Sequence, residues 1–276
     1  MVELLGAGEI RSLAAELDLR PTKKLGQNFV IDPNTIRKIV AAAQLNPSDK
    51  VVEIGPGLGS LTLGLLEKVD QLIAIEFDQK LAGRLSMTLK QKAPEKSCQI
   101  VQADAMNVTK LDFEPDALVA NLPYNISVPV ILHFLESFPS ISKVLVLVQA
   151  EVAARLVAGP GSKTYGSPSA KLAWYGKASS AGVVSRSIFW PVPNVDSALV
   201  YFEKRSTPLP SSLRPEVFRV IDGAFAQRRK TLRQALSAWA GSPDLAEHIL
   251  VKAGVSPKAR GEDLSIDEFI EVAKQK

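Results

Sequence analysis

The chain has 276 residues, of which 46% are hydrophobic and 22% charged, and its formal net charge is +4. This composition is typical of a globular protein and excludes a disordered chain or a coiled coil. A single cysteine excludes an internal disulfide framework, and two histidines without a cysteine cluster argue against zinc, so we expect no metal site. Because no apolar run reaches membrane-spanning length and the N-terminus lacks a basic signal-peptide start, we expect a soluble cytoplasmic protein.

The first part of the chain leads into a glycine-rich turn. A short amphipathic helix over 9–19 precedes a polar, basic loop over 20–30, and a second helix starts with Asp32 as N-cap and Pro33 in the first turn. The stretch 51–59, Val-Val-Glu-Ile-Gly-Pro-Gly-Leu-Gly, predicts a strand and a tight turn, and apolar spacing after it predicts a helix. Glycines in such a turn let a ligand approach the backbone closely.

Strands and helices then alternate, which predicts a Rossmann-like α/β fold with a doubly wound, mostly parallel sheet. Two later strands without a helix between them predict an antiparallel edge, and the stretch 159–166 predicts an exposed loop. The predicted strands are 71–75, 99–102, 117–120, 143–148, 178–184 and 197–203, and the predicted helices between them are 79–90, 127–137 and 150–158.

A small all-helical domain follows a linker over 207–212. Its predicted helices are 215–239, 243–253 and 265–274, the last opened by a capping box of Ser265 and Glu268. We therefore expect a first domain over 1–205, with an N-terminal arm over 1–30, and a second domain over 206–276.

The residues that end successive parallel strands are expected to meet at one edge of the sheet, where such folds bind ligands. Glu76 ends the strand after the glycine turn and is placed to accept both ribose hydroxyls of a nucleoside cofactor. A glycine turn with an acid fits NAD, FAD and S-adenosylmethionine alike. Asp104 ends the next strand, where it either meets the adenine of such a cofactor or simply terminates the strand.

Asn121-Leu122-Pro123-Tyr124, at the end of the following strand, suits methyl transfer to an aromatic amine as well as it suits an ordinary β-turn. The lone pair of such an amine is delocalised into its ring. The amine could donate two hydrogen bonds, one to the amide oxygen of Asn121 and one to the backbone carbonyl of Leu122 or Pro123. These hydrogen bonds would orient its lone pair. Tyr124 offers a stacking face for the base.

Taken together, these motifs resemble the 16S (small-subunit) rRNA adenine N6,N6-dimethyltransferases, within the class I S-adenosylmethionine-dependent methyltransferases. The resemblance covers nearly the whole chain. The segments that carry it are 24–29, 53–59, Glu76, Asp104, 121–125, Gln149 with 151–153 and Arg155, 189–197 and 225–232.

The resemblance implies dimethylation of N6 of two adjacent adenosines near the 3′ end of 16S rRNA, within a small-subunit assembly intermediate, with S-adenosylmethionine as cofactor. Separately, we expect a monomer. The target adenine is expected to be flipped from its helix between the aromatic faces of Tyr124 and Phe189. The cofactor-binding residues that it implies are Gln27, Asn28, Val30, Gly55, Gly57, Glu76, Asp104 and Asn121, and the catalytic residues are Asn121, Leu122, Pro123, Tyr124 and Phe189.

Basic residues favour RNA as the partner. Between residues 205 and 233 there are seven Lys/Arg against two Asp/Glu, and the predicted helix 215–239 places several of these cations on one side. A cationic helix face is more often merely solvated, but a second basic group near the arm strengthens the case. The expected RNA-binding residues are Lys23, Lys24, Arg228, Arg229, Lys230 and Arg233.

Three alternatives remain open from the sequence. Macrolide-resistance methyltransferases of 23S rRNA share the cofactor motifs. A non-catalytic RNA-binding assembly or transcription factor could retain the fold. An NAD-dependent oxidoreductase is the weakest alternative, because Asn121-Leu122-Pro123-Tyr124 has no role in hydride transfer.

Overall fold

A computed structural model describes residues 2–19, 28–123 and 126–276. Within these ranges, no helix is both long and apolar enough to cross a membrane. The chain divides into two compact units, the first formed by Met1–Ala153 with Ser179–Glu203, and the second by Ala154–Ala178 with Lys204–Lys276.

A seven-stranded sheet has the strand order β4-β3-β2-β5-β6-β9-β7. The first five strands in that order pair in parallel, and β9 pairs antiparallel to β6. The Rossmann-like, mostly parallel sheet with an antiparallel edge is therefore confirmed. The strands are β2 (Lys50–Ile54), β3 (Gln71–Glu76), β4 (Cys98–Gln102), β5 (Ala117–Asn121), β6 (Lys143–Gln149), β7 (Gly176–Val184) and β9 (Ser197–Lys204).

The strand order places a topological switch point at the centre of the sheet. After β2 the chain moves outward through β3 and β4, and then returns to the other side of β2 as β5. The loops that follow β2 and β5 consequently diverge, which opens a crevice at the carboxyl ends of the strands. The buried, β-branched sequence of β2 suits this central position.

Helices connect these strands as the sequence predicts. Asp32 caps α2 by accepting hydrogen bonds from the backbone N–H groups of Asn34 and Thr35, with Pro33 in the first turn. The helices are α1 (Ala7–Glu16), α2 (Pro33–Ala42), α3 (Ser60–Leu66), α4 (Gln79–Lys92), α5 (Ser127–Ser137) and α6 (Ala150–Leu156).

A second, two-stranded sheet has no counterpart in the predicted elements. It pairs β1 (Phe29–Val30) with β8 (Phe189–Trp190) in antiparallel fashion, so that Phe29 faces Trp190 and Val30 faces Phe189. The rings of Phe29 and Trp190 stack with centroids 6.4 Å apart. This small sheet ties the end of the N-terminal arm to a segment from late in the first unit.

The second unit contains six helices among the described residues. The predicted continuous helix over 215–239 is wrong, because α8 ends at Ala226 and a turn follows. The break is stabilised by hydrogen bonds from the N–H groups of Leu232 and Arg233 to the carbonyls of Ala259 and Pro257. The helices are α7 (Ser167–Tyr175), α8 (Arg214–Ala226), α9 (Leu232–Ala235), α10 (Ser237–Ala240), α11 (Pro243–Lys252) and α12 (Ile266–Ala273).

Residues 154–178 belong with the C-terminal helices and not, as the sequence predicts, with the first domain. Tyr165 explains the difference. Its ring is buried, with its centroid 5.8 Å from that of Phe225, and its hydroxyl donates to the carbonyl of Leu264 at 2.9 Å. The predicted exposed loop over 159–166 is thus anchored in the helical unit by its one aromatic side chain, whose burial also raises the pKa of that phenol to about 12.

Candidate active site

The turn between β2 and α3 has a backbone that requires glycine. Gly57 has a φ of +58°, and a Cβ there would lie 2.9 Å from the ring of Phe29. Gly59 has a φ of +99°, and a Cβ there would lie 2.8 Å from Leu85 Cδ1. Both the left-handed conformation and the close neighbours exclude larger residues. Phe29, from the N-terminal arm, therefore packs directly on the glycine turn.

Glu76 connects the end of β3 to that turn. Its Oε2 accepts a hydrogen bond from the N–H of Gly57 at 3.0 Å, and its Oε1 accepts one from the N–H of Asp78 at 3.0 Å. The side chain is buried, which raises the pKa of its carboxyl above 4.5, while the two N–H donors act in the opposite direction. Each carboxylate oxygen keeps a second lone pair with which it can accept a ligand hydroxyl.

Asn121 lies where β5 meets the arm. Its Nδ2 donates to the backbone carbonyl of Asn28 at 3.0 Å, which orients the amide and leaves Oδ1 as its acceptor. The next two residues are held by backbone bonds, from Leu122 N–H to the Leu147 carbonyl at 3.1 Å and from Ile126 N–H to the Pro123 carbonyl at 3.4 Å.

Asp104 follows β4 and has a structural task as well. Its Oδ1 accepts a hydrogen bond from the N–H of Met106 at 2.9 Å and so caps the short 3₁₀ turn Ala105–Asn107. The residue remains exposed, and its other oxygen is available to a ligand.

These loops surround one cavity of about 340 Å³ in the first unit. Its size lies within the range of small-molecule sites. The cavity brings together the predicted site residues Asn28, Val30, Gly55, Gly57, Glu76, Asp104, Asn121, Leu122, Pro123 and Phe189. The other predicted site residues of this unit, Gln27, Tyr124, Lys23 and Lys24, lie outside the described residues.

Two further lining residues were not singled out from the sequence. Phe77 directly follows Glu76 and is 68% exposed, which gives the cavity an apolar face beside the predicted ribose acceptor. The signal in the sequence that could have identified Phe77 is its position directly after Glu76, the acid that ends the strand. Glu53 also lines the cavity, from within β2.

Glu53 is a carboxyl group in an unusual environment. It is 1% exposed, and neither of its oxygens has a well-formed hydrogen bond among the described residues. Burial raises its pKa to about 8; a weak hydrogen bond from the hydroxyl of Thr62 lowers the pKa, and the charge of Glu76 raises it further. Near neutral pH this side chain is therefore a neutral acid in the unliganded protein.

The predicted RNA-binding cations of the second unit differ in their surroundings. Arg228 pairs with Glu262 at 2.9 Å and also donates to the carbonyl of Lys163. Arg233 pairs with both Asp244 and Glu247, at 2.7 and 2.6 Å. Arg229 and Lys230 are exposed in the turn after α8. Carboxylates thus offset the charges of Arg228 and Arg233, whereas Arg229 and Lys230 face solvent.

The residues around the cavity fit a nucleoside cofactor with a cationic group. Glu76 offers acceptors to ribose hydroxyls, the glycine turn permits close approach, and Phe77 offers an apolar face. Glu53 and Ser60 add buried oxygens that lack a well-formed hydrogen bond within the described parts of the chain. Buried polar atoms of this kind are rare unless a ligand or water satisfies them.

Comparison with known proteins reduces the number of alternatives. Residues 19–276 match the ribosomal RNA adenine dimethylase family. A relative from Streptomyces coelicolor, named ribosomal RNA small subunit methyltransferase A, is 56% identical over 99% of this chain and 97% of its own length.

The chain belongs to the ribosomal RNA adenine dimethylase family. Among solved structures, a dimethyladenosine transferase from Plasmodium falciparum shares the fold, with a TM-score of 0.74 and 23% identity over 87% of this chain and 94% of that one. The 23S rRNA methyltransferase ErmE gives a TM-score of 0.67 with 25% identity over 90% of this chain and 98% of that one.

As a ribosomal RNA adenine dimethylase, the chain is an enzyme whose cofactor is S-adenosylmethionine. The methyltransferase interpretation is thereby supported over an oxidoreductase and over a non-catalytic RNA-binding factor. The roles of the individual site residues remain predictions, which the following variants test.

The state of Glu53 predicts how stability depends on pH. Because its pKa is raised from 4.5 to about 8 in the folded protein, the folded state binds one more proton than the unfolded state between these values. The contribution of Glu53 to the free energy of unfolding therefore falls as pH rises from 4.5 to about 8, by up to about 1.4 kcal/mol per pH unit.

The Glu53→Gln variant has a neutral amide in place of the acid, so it does not lose stability as Glu53 ionises with rising pH. We expect the two proteins to be similarly stable near pH 5 and the variant to become the more stable one as pH approaches 8. Urea unfolding of both proteins at several pH values measures the difference in free energy of unfolding. A difference that stays constant with pH contradicts a neutral Glu53.

Glu76 is expected to hold the cofactor. Glu76→Ala removes the acceptors for the ribose hydroxyls and releases the glycine turn, and charged hydrogen bonds of this kind contribute about 1.5–3 kcal/mol. Calorimetry should show S-adenosylmethionine binding weakened by roughly one to two orders of magnitude. Glu95→Ala, on an exposed turn outside the cavity, serves as the control, and unchanged affinity in Glu76→Ala rejects the assignment.

Proposed function

We propose that this enzyme dimethylates N6 of two adjacent adenosines near the 3′ end of 16S rRNA, within an assembly intermediate of the small ribosomal subunit. The observation that carries the proposal is the meeting of Asn121, Leu122 and Pro123 with Glu76 and the glycine turn around one cavity. The sequence identity of 56% to a small-subunit methyltransferase favours this substrate.

The residues of the chain position the two reactants. S-adenosylmethionine supplies an activated methyl group on its sulfonium. Glu76 accepts the ribose hydroxyls and Asp104 meets the adenine of the cofactor, while Asn28 and Val30 from the arm close over it. Positioning of this kind accounts for much of the rate enhancement in group transfer.

The target amine is held at the end of β5. Asn121 Oδ1 accepts a hydrogen bond from one N6–H group, and the carbonyl of Leu122 or Pro123 accepts a hydrogen bond from the other. These two hydrogen bonds direct the nitrogen lone pair away from the ring. Phe189 and Tyr124 provide the aromatic faces for the flipped base. The proton displaced from nitrogen leaves to solvent, and no acid–base side chain is needed.

A 23S rRNA substrate is the second candidate, supported by the structural similarity to ErmE. The identity of 25% to that enzyme is far below the 56% to the small-subunit relative, and we therefore favour the small subunit. The enzyme then acts in the cytoplasm, where bacterial ribosomes assemble, and as a monomer, which light scattering of the purified protein checks.

Mass spectrometry of rRNA from cells that lack this protein tests the substrate directly. We expect unmodified adenosines near the 3′ end of 16S rRNA and restoration of dimethylation when the gene is returned. Normal 16S rRNA together with a missing 23S modification assigns the enzyme to the second candidate.

Asn121 tests the proposed chemistry. Asn121→Ala removes the side-chain acceptor for the target amine, and loss of one such positioned group lowers turnover by roughly 100-fold or more. Incorporation of labelled methyl groups into unmodified small subunits measures this, with thermal unfolding to confirm the fold. Asn107→Ala, an exposed asparagine that does not line the cavity, is the matched control. Full activity of Asn121→Ala rejects the role.

Arg229 and Lys230 test the RNA contact of the second unit. Changing both to Gln removes two exposed charges, so we expect weaker binding to small subunits and a salt dependence reduced by about two units in slope. Lys68 and Lys90, exposed at the opposite end of the strands of the first unit from the cavity, provide a double Gln control with the same change in charge. Equal losses in both double variants indicate only general electrostatic attraction.

A further inference from the structure

The carboxyl of Glu53 has no task in the mechanism described so far, although it is placed at the centre of the site. It is the penultimate residue of β2 and lines the cavity. Its two oxygens and Ser60 Oγ, which also lines the cavity, are buried without a well-formed hydrogen bond among the described residues. Three such oxygens at one cavity indicate that something else completes this site.

The topology shows which part of the cofactor passes Glu53. Glu76, at the end of β3, and Asn121, at the end of β5, lie on the two strands that flank β2. A molecule held by its ribose at Glu76 and presenting its methyl group toward Asn121 therefore crosses the end of β2. In S-adenosylmethionine, the group that joins the ribose to the transferred methyl is the sulfonium, which is a cation.

The surroundings of Glu53 oppose a charge when no cation is present. Glu76 on β3 is a second carboxyl that raises its pKa, and Cys98 on β4 is a thiol whose own pKa rises to about 12 through burial and the charge of Glu53. The hydroxyls of Ser60 and Thr62 on α3 are neutral. No basic side chain contributes to the pKa of Glu53 among the described residues. A cationic ligand would be the first positive charge in this wall.

We infer that Glu53 is the counter-ion of the cofactor's sulfonium: its carboxyl is protonated in the unliganded enzyme and releases that proton when S-adenosylmethionine binds. The O–H bond of Glu53 breaks, the electron pair remains on the carboxylate, and the proton passes to the buffer. The inference rests on the cofactor assignment but not on the identity of the RNA. It gives the enzyme a means of distinguishing its charged cofactor from S-adenosylhomocysteine, the product, which lacks the sulfonium charge.

Calorimetry of the full-length enzyme measures this proton. S-adenosylmethionine and S-adenosylhomocysteine are each titrated at pH 7 in phosphate and in Tris, buffers with different ionisation enthalpies, and the dependence of the observed heat on the buffer gives the number of protons released. Both ligands carry the same amino-acid group, so the difference between them isolates the sulfonium. We expect wild-type enzyme to release a large fraction of one proton more with S-adenosylmethionine.

Glu53→Gln provides the variant, because its neutral amide imitates the protonated acid and preserves the unliganded fold. We expect the extra proton release to disappear, and the preference for S-adenosylmethionine over S-adenosylhomocysteine to stop rising between pH 6 and 8. In wild-type enzyme that preference should rise by up to tenfold per pH unit.

The outcomes separate clearly. Equal proton release by wild-type enzyme and Glu53→Gln overturns the inference. If the variant fails to fold, equal release by the two ligands in wild-type enzyme overturns it just as well. If neither ligand binds the wild-type enzyme at all, the cofactor assignment is wrong and the inference falls with it, whereas normal binding with the wrong rRNA substrate leaves it intact.

Discussion

The hydrogen bond from the Gly57 backbone to Glu76 is the interaction on which the site depends. It joins the turn after β2 to the end of β3, so two loops that diverge from neighbouring strands are held in one geometry. Gly57 has no side chain of its own with which to fix the turn, and the ring of Phe29 packs against it. A ligand acceptor and the cradle around it are thus positioned by one buried carboxylate.

The two acids in the cavity wall, Glu76 and Glu53, have different electrostatic surroundings. Glu76 is compensated by two backbone N–H donors, whereas Glu53 has none among the described residues and sits deeper. Low dielectric makes the second charge costly while the first is present. The two carboxyls in the wall of the cavity therefore differ in how far the fold compensates a negative charge, and the less compensated one, Glu53, can respond to a cationic ligand.

The sequence predicted most of the residues that the cavity brings together, because strand-ending side chains in a parallel sheet meet at one edge. It could not predict β1 and β8, since two-residue strands far apart in the chain carry no periodic pattern. The break after Ala226 was equally invisible, because apolar spacing continues through Leu232 and the break results from hydrogen bonds to residues 257–259. The sequence shows Glu53 only as an acid within a predicted strand. Its burial without a backbone N–H donor results from the tertiary structure and could not be predicted.

The pairing of β1 with β8 also bears on how the enzyme is made. Phe29 packs on the glycine turn, yet the strand that it forms with Val30 is paired with Phe189 and Trp190, which are translated much later. A nascent chain therefore lacks a finished cofactor pocket until the ribosome has synthesised nearly all of the first unit. An enzyme that modifies ribosomal RNA thus becomes able to hold its methyl donor only after Trp190 has been translated.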